Sequence, residues 1–318
     1  MNKFLALACL LLSGWTAAAD KKSLVVYTNQ LAYGTLLVEG FAKTHPEYDV
    51  KQMKMGPVED FKSAMFTENA AERADVMLRC QEPMLQFWVM NGILSQFPDG
   101  SLIAPVVGAP HIIVYNSKLV EEAQAPRTLA DLVKPEWKGR AVMRNPVMGN
   151  TGAFLAEYVG ARDPKLTWYR DMAAQNVFVA DTPQQVIDAV ATGNRAVALM
   201  RDVEFLPVAK DHPHLKMLFI EDKLPYQYQV AVLNKLASNP AGAREFAAWV
   251  LNDGQKLLAD AGYSVGDREK ELLKRPHWKL DIASTAMKHS ERLVESLRRL
   301  HSGAAQWPHS PAEHTAKR

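Results

Sequence analysis

The chain is poor in cysteine and has almost no excess of charge of either sign. Its 318 residues include two cysteines, Cys9 and Cys80, and its formal net charge is +2. If Cys9 is removed with an export signal, as argued below, Cys80 alone cannot form an internal disulfide, which excludes a disulfide scaffold. The near-neutral charge argues against nucleic acid as a partner. Stability must therefore come from packing, for which a chain of about 300 residues is long enough.

Long apolar runs are also scarce, and the only notable one is at the N-terminus. Phe4–Leu12 is apolar, follows the positive Lys3 and precedes the small residues Ala17–Ala19. This pattern predicts a secretory signal peptide over residues 1–19, with the mature chain starting near Asp20. The run is shorter than the roughly 20 residues of a membrane-spanning helix, so a membrane anchor is the weaker interpretation. The sequence therefore predicts a soluble protein of the bacterial periplasm.

Recognised catalytic motifs are missing as well. The chain contains neither Gly-x-Ser-x-Gly nor His-Glu-x-x-His, the patterns of serine esterases and zinc hydrolases. His212 and His214 form no recognised metal pattern. Cys80 follows Arg79, whose guanidinium favours a thiolate, but no partner histidine is identifiable. We predict a protein that is not an enzyme and needs no cofactor, and an exported hydrolase remains the alternative.

Apolar patterning predicts two α/β units. Strand and helix patterns alternate with the spacing of mostly parallel sheets flanked by helices. The predicted strands lie at 23–28, 48–55, 74–78, 109–116, 140–143, 174–180, 196–200 and 226–233, and the predicted helices at 32–44, 58–69, 83–91, 128–132, 149–159, 183–192, 241–253 and 255–261. A charged amphipathic helix is predicted over 281–300, and a flexible tail over 301–318.

Four segments together carry a family resemblance. They are HIIVYNSKL (111–119), PRTLADL (126–132), PEWKGR (135–140) and FAAWVLNDGQKLLADAG (246–262). The chain resembles the family 1 extracellular solute-binding proteins of ABC importers. Within them it is similar to the type II group that includes the ferric-ion-, phosphonate- and sugar-phosphate-binding proteins. The resemblance extends over roughly residues 23–265.

The resemblance implies a type II periplasmic-binding-protein fold with two lobes. Each lobe would be a mostly parallel sheet flanked by helices, with the ligand bound between the lobes. Lobe 1 would comprise residues 20–108 and 230–300, and lobe 2 residues 109–229. The two hinge segments would lie near Val106–Pro110 and Gln227–Leu233. The implied partners are a small solute and an inner-membrane ABC permease, and the protein would be a monomer.

The resemblance alone does not identify the solute. Ferric-binding members carry adjacent tyrosines after the strand that corresponds to Ala196–Met200. This chain has Arg201–Phe205 (RDVEF) there, and a permanently charged arginine repels Fe³⁺. Ferric ion is therefore the alternative ligand, and no metal ligands are predicted.

Three arginines favour an anion instead. Arg79, Arg144 and Arg201 each follow a predicted strand, and open α/β sheets bind ligands at the carboxyl ends of strands. The guanidinium fork matches phosphate, phosphonate or carboxylate. For each arginine alone, a solvated surface charge or a structural ion pair is an equally good interpretation.

A glycine-containing helix start supports the same prediction. Gly149-Asn150-Thr151-Gly152 precedes a predicted helix, where free N–H groups suit an anion, although Asn150 or Thr151 can also simply cap the helix. Thr182 is expected only to cap its own helix, and Tyr226 and Tyr228 to pack in the core or hinge. The predicted ligand-binding residues are Asn29, Gln30, Arg79, Gln81, Arg144, Asn145, Gly149, Asn150, Thr151, Gly152 and Arg201.

We therefore predict the binding component of an importer for a small organic anion, with phosphonates and phosphorylated compounds favoured. A sensory solute-binding protein would have the same fold, so the sequence leaves that alternative open.

Overall fold

The computed structural model describes residues 21–29, 31–55, 61–80, 84–147, 149–279 and 295–297, with the backbone alone at 61, 62, 84, 149–151 and 153. The predicted signal peptide, the tail and nearly all of the predicted helix 281–300 lie outside the described residues.

The strands are β1 (Lys22–Asn29), β2 (Tyr48–Met55), β3 (Val76–Cys80), β4 (Leu94–Ser95), β5 (Ala104–Asn116), β6 (Ala141–Arg144), β7 (Phe178–Ala180), β8 (Val197–Arg201), β9 (Leu215–Phe219), β10 (Leu224–Asn234) and β11 (His277–Trp278). The helices are α1 (Ala32–Thr44), α2 (Phe61–Phe66), α3 (Met84–Met90), α4 (Gly149–Gly160), α5 (Thr167–Ala174), α6 (Pro183–Ala191), α7 (Asp202–Phe205), α8 (Pro240–Leu251), α9 (Asp253–Asp260) and α10 (Gly266–Leu273).

The first sheet forms around the N-terminal strand. β1 pairs in parallel with both β2 and β3, so its residues are covered on both sides by strands and on both faces by side chains. On one face Leu24 and Val26 pack with Leu37 and Phe41 of α1 and with Phe246 of α8. A buried parallel strand needs an apolar run rather than an alternating one, which is what this segment of the sequence provides.

The second sheet repeats this arrangement. β6 pairs in parallel with β7 and β8, and the core on one face contains Trp137, Tyr158 and Tyr169. On the other face Val186 and Ile187 of α6 pack against the sheet. The predicted α/β fold is confirmed, with a parallel group of strands flanked by helices in each half, although the sheet as a whole is mixed.

Two long strands join the two sheets. Residues 104–110 of β5 pair with β10, and residues 111–115 pair with β8, in both cases antiparallel. β10 also pairs antiparallel with β3. The overall strand order is β2-β1-β3-β10-β5-β8-β6-β7. The predicted hinge segments lie within these two strands, while the exact lobe boundaries remain predictions.

Several local predictions differ from the structure. Helix α2 ends at Phe66, before the predicted end at residue 69, and β4, β9, β11, α5, α7 and α10 were not predicted. Near the start of α5, Oδ2 of Asp163 accepts a hydrogen bond from the Trp168 N–H. Asp163 lies in a charged loop, so the sequence did not indicate that it marks the start of a helix. The cap at Thr182 is confirmed, since it forms a reciprocal capping box with Gln185. No helix in the described ranges is long and apolar enough to cross a bilayer.

Candidate functional site

The three predicted arginines lie at the ends of β3, β6 and β8, and all three are buried. The exposed fraction is 1% for Arg79, 9% for Arg144 and 3% for Arg201. Arginine is almost never so deeply buried without a compensating partner. The interpretation of these residues as solvated surface charges is therefore wrong, whereas the ion-pair interpretation holds for Arg144 and Arg201.

A single carboxylate joins two of the arginines. Oε1 of Glu204 accepts hydrogen bonds from Arg201 Nη2 at 2.8 Å and from Arg144 Nη1 at 3.3 Å. Burial alone would raise the pKa of Glu204, but the two guanidinium groups hold that pKa at about 2. Glu204 is therefore ionised, and this group of three side chains carries one excess positive charge.

Arg201 also links the second sheet to the first. Its Nη1 donates to Oε1 of Gln227 at 3.0 Å and contacts Sγ of Cys80 at 3.2 Å. Gln227 belongs to the joining strand β10, and Cys80 ends β3 of the first sheet. Burial acts to lower the pKa of Arg201, but the Glu204 carboxylate outweighs it and the pKa is raised. Much of the guanidinium fork is thus occupied by the protein itself.

Arg144 is held less completely. Besides Glu204, it donates from Nη2 to the carbonyl oxygen of Asp181 at 3.0 Å. Burial is the main cause that lowers its pKa, and Glu204 opposes this shift. Arg144 is the most exposed of the three arginines, so its guanidinium is the one best placed to meet a solute.

Arg79 faces a different neighbour. Successive residues of a strand point to opposite faces, so Arg79 and Cys80 of β3 diverge. The Arg79 guanidinium lies 4.4 Å from the ring centroid of Trp88 in α3, and burial lowers its pKa to about 9. The structure therefore brings Arg144 and Arg201 together at Glu204 and places Arg79 against an aromatic ring.

Asn29 belongs to a neighbouring hydrogen-bonded group. Its Nδ2 donates to Oε1 of Gln229 at 2.8 Å, and the same oxygen accepts from Tyr33 Oη and Cys80 Sγ, both at 3.3 Å. This group adjoins Arg201 through Cys80, and the position of Asn29 at a ligand cleft stays a prediction. The predicted ligand residues Gln30 and Gln81 lie outside the described residues.

The predicted helix start is confirmed as a helix start, because α4 begins at Gly149. Nothing is described of the side chains of Asn150 and Thr151. A Cβ on Gly152 would lie 2.5 Å from the carbonyl oxygen of Asn145, so only glycine lets the helix pack this closely on that turn. The amide of Asn145 donates to Oδ1 of Asp181 at 2.8 Å, which fixes the turn.

His111 is a residue that the sequence reasoning missed. It pairs with Arg201 across β5 and β8, is 1% exposed, and stacks on Phe154 of α4 at a centroid distance of 5.6 Å. Neither ring nitrogen has an aligned hydrogen bond within the described part of the chain. Burial, assisted by the Arg201 charge, lowers the pKa of His111 to about 3, and the Glu204 carboxylate and the backbone of Pro225 offset this only in part. The imidazole is therefore neutral.

The other missed residues are Glu204, Gln227 and Gln229. Two signals in the sequence point to them. Gln227 and Gln229 are polar residues inside the otherwise apolar run YQYQVAVL, and Glu204 stands three residues after Arg201, a spacing that suits an ion pair at a helix start. A search for buried polar positions in the joining strand would have found the two glutamines.

Among the described residues, the charges of the Arg144–Glu204–Arg201 group suit an anion better than a metal ion. No group of three or more His, Cys, Asp or Glu residues that could hold a metal ion occurs in the described ranges. The excess positive charge of the Arg144–Glu204–Arg201 group is buried, and burying an uncompensated charge is costly. An anionic solute would compensate it.

Comparison with known proteins gives a consistent family and fold. The family described as bacterial extracellular solute-binding protein matches residues 57–280. A relative, the Fe(3+)-binding periplasmic protein of Serratia marcescens, is 29% identical over 154 residues, which covers 43% of this chain and 44% of that protein. The chain thus spans less than half the length of this curated relative.

Three solved structures share the fold. The substrate-binding protein of an ABC transporter from Agrobacterium tumefaciens has a TM-score of 0.77 at 16% identity, covering 89% of this chain and 95% of that one. AfuA from Actinobacillus pleuropneumoniae, with fructose-6-phosphate bound, scores 0.73 at 16% identity, with 89% and 100% covered. Iron-bound HitA from Pseudomonas aeruginosa scores 0.68 at 19% identity, with 89% and 100% covered. At these identities the likeness establishes the two-lobed binding-protein fold alone.

Proposed function

The chain belongs to the bacterial extracellular solute-binding proteins, and from this premise we propose that it captures a small organic anion between its two lobes and delivers it to an ABC importer. The family and the fold are those of binding proteins rather than enzymes, as the sequence predicted. The predicted periplasmic location is confirmed by the extracellular family and by a relative that is periplasmic.

The observation that carries the anion proposal is the shared use of Glu204 by Arg144 and Arg201. Within the described residues these two buried guanidinium groups share one carboxylate, so the group of three side chains keeps an excess of one positive charge. Guanidinium forks bind phosphate, phosphonate and carboxylate groups by paired hydrogen bonds. An acid group that reaches Arg144 would neutralise the excess charge and complete the hydrogen bonding of this group.

A phosphonate or a phosphorylated compound fits the neighbouring elements best. The start of α4 follows the turn that contains Arg144 and Asn145, and Gly152 keeps that start close to the turn. Backbone N–H groups at a helix start favour tetrahedral anions. The structural neighbour with fructose-6-phosphate bound shows that this fold can hold a sugar phosphate. In this proposal the ligand-binding residues are the eleven predicted from the sequence, with His111 beside them.

Capture would work by a shift of population. Arg201 in the second half contacts Cys80 in the first, so the group around Glu204 spans both lobes. A solute that touches both lobes favours the closed arrangement by its differential affinity for it. The closed form would then be the one that the membrane partner recognises. A sensory role would use the same movement with a receptor in place of the permease.

Ferric ion is a second candidate because the Serratia marcescens relative is an Fe(3+)-binding protein. The residues at the end of β8 and in α7 oppose it. Arg201 stands there with Asp202, Val203, Glu204 and Phe205, and the cationic guanidinium lies where hard anionic ligands would be needed.

A calorimetric comparison tests the proposal. Wild-type protein is titrated with methylphosphonate, a sugar phosphate, a dicarboxylate and ferric citrate. We expect binding of at least one phosphonate or sugar phosphate, and we expect Arg144→Ala to weaken it by about 2–4 kcal/mol, since the partner of a buried charge is lost. Arg170→Ala, at an exposed position, is the matched control and should bind like wild type.

Two outcomes would contradict the proposal. One is binding of ferric citrate with no binding of any organic anion. The other is an Arg144→Ala variant with wild-type affinity for the anion, which would show that the anion does not bind at Arg144.

A further inference from the structure

Asp202 lies buried where the two halves of the molecule meet. It is 0% exposed, and its Oδ2 accepts a hydrogen bond of 2.6 Å from Oγ of Ser264. Its other carboxylate oxygen has no hydrogen-bond partner within the described ranges. Asp202 follows β8 of the second sheet, whereas Ser264 lies between Tyr263 and Val265, which pack in the core of the first sheet. This hydrogen bond therefore ties one half to the other.

The same place holds both joining strands. The carbonyl oxygen of Ser264 accepts a 2.9 Å hydrogen bond from the N–H of Gly108 in β5. A Cβ on Gly108 would lie only 1.9 Å from the hydroxyl of Tyr226 in β10, so the two strands touch without room for a side chain. Because Asp202 follows a strand of the second sheet and Ser264 packs with the first, we expect a rotation of one half against the other to change the contact between them.

Several elements present charged or titratable groups to Asp202. They are Arg201 of β8, Tyr226 of β10, Tyr263 before Ser264, and Arg268 of α10, while Glu204 on the same short helix points to Arg144 and Arg201. Burial raises the pKa of Asp202 to about 7, and this exceeds the lowering by the Ser264 hydrogen bond and the Arg268 charge. Arg268 also binds Ser264, since its Nε donates a hydrogen bond of 3.3 Å to Oγ of Ser264.

We propose that Asp202 is a proton-sensitive latch in the hinge. When the Asp202 carboxyl is protonated, it is neutral and remains packed against Ser264. When it is ionised, the carboxylate is stabilised by contact with water. To reach water it must leave Ser264, so α7 separates from the Ser264 segment. Opening then releases the proton to solvent, and a lower pH favours the closed arrangement. The inference rests on the proposed function for the hinge movement, but it is independent of which solute binds.

The expected dependence on pH has a definite sign. In the closed form the carboxyl holds its proton up to a pH of about 7, and in the open form only up to the ordinary pKa of 3.8. Between these two values opening releases one proton, so the opening constant rises up to tenfold for each pH unit. Above pH 7 both forms are ionised and the constant levels off.

Hydrogen exchange measured by mass spectrometry tests this on the full chain without ligand. The measured quantity is the exchange rate of the peptide that contains the Gly108 N–H. It is measured from pH 5 to 8 and corrected for the intrinsic pH dependence of exchange. We expect the corrected opening constant to rise and then to level off near pH 7 in wild type. In Asp202→Asn, which stays neutral, it should be independent of pH. Asp267→Asn, an exposed carboxylate on the same α10, should behave like wild type.

A second variant keeps the test decisive if Asp202→Asn does not fold. Ser264→Ala removes a hydrogen bond that lowers the pKa of Asp202, so the pH at which opening levels off should move upward. A wild-type profile in Ser264→Ala, or a pH-dependent profile in Asp202→Asn, would overturn the latch. Neither result depends on anion binding, so failure of the latch and failure of the proposed ligand site remain distinguishable.

Discussion

Glu204 accepts a 2.8 Å hydrogen bond from Arg201, the residue that ends β8 three positions earlier, and both side chains are almost completely buried. The Glu204 side chain also accepts the backbone N–H of Arg201 at 3.1 Å, so the pair is fixed by side chain and main chain together. A buried ion pair of this kind contributes less to net stability than its Coulomb energy suggests, because both groups lose their hydration. Breaking it by removing one partner is nevertheless costly.

Replacing Glu204 tests that cost. Glu204→Gln keeps the shape of the side chain but leaves the Arg144 and Arg201 guanidinium groups buried without the carboxylate that they share. We expect the free energy of unfolding to fall by about 3–5 kcal/mol in urea titrations at pH 7. The matched control is Asp253→Asn, which breaks the exposed Lys256–Asp253 pair and should change stability by less than about 1 kcal/mol. If both substitutions lowered the free energy of unfolding equally, burial of the Glu204 ion pair would have no effect on its contribution to stability.

His111 should make the protein sensitive to acid. The pKa of His111 is about 3 in the folded chain and near its usual 6.5 when unfolded. As the pH falls below 6.5, the unfolded chain takes up a proton that the folded chain does not, so stability is lost by up to about 1.4 kcal/mol per pH unit. His111→Phe keeps a ring that can stack on Phe154 and removes this proton uptake.

Urea unfolding of wild type and His111→Phe between pH 7 and 4 measures the difference. We expect the advantage of the variant to grow as the pH falls, whereas His212→Gln in a surface loop should follow wild type. If the difference in the free energy of unfolding between wild type and His111→Phe did not change with pH, the conclusion that the buried imidazole is neutral would be wrong.

Gly152 should be intolerant of even one methyl group. In Gly152→Ala the added Cβ meets the carbonyl oxygen of Asn145 at 2.5 Å and Pro146 at 2.8 Å, and both are backbone atoms that cannot rotate away. We expect a loss of about 1–3 kcal/mol in stability from this overpacking. We also expect weaker anion binding, since the start of α4 must move away from the turn after Arg144. Calorimetry and thermal unfolding measure both, and an unchanged affinity would separate the helix start from the ligand site.

Much of the fold was predictable because it depends on local patterning. The run SLVVYT predicts the buried strand β1, and Thr182 followed by Pro183 predicts the start of α6, where the capping box is found. Short or polar elements such as α5 and β4 escaped prediction, because their limits depend on contacts with distant residues and not on their own sequence.

The candidate site was predictable in part for a similar reason. The carboxyl ends of parallel strands converge, so Arg144 and Arg201 could be placed together from the strand pattern alone. Glu204 could not be recognised as their shared partner from that pattern, because its role depends on how a four-residue helix turns back toward two strands. His111 was missed because a histidine in an apolar strand gives no indication of which side chains surround it.

The sequence by itself carried the family resemblance in four short segments. Its periodicity and short-range order also determined the alternation of strands and helices and the arginines at the strand ends. Only the tertiary structure decided how the buried charges are shared. It gave Arg144 and Arg201 a common carboxylate, set Arg79 against Trp88, and placed Asp202 beside Ser264 at the joint. The physical reason is that desolvation and pairing energies depend on distances between residues far apart in the chain, and folding alone brings those residues together.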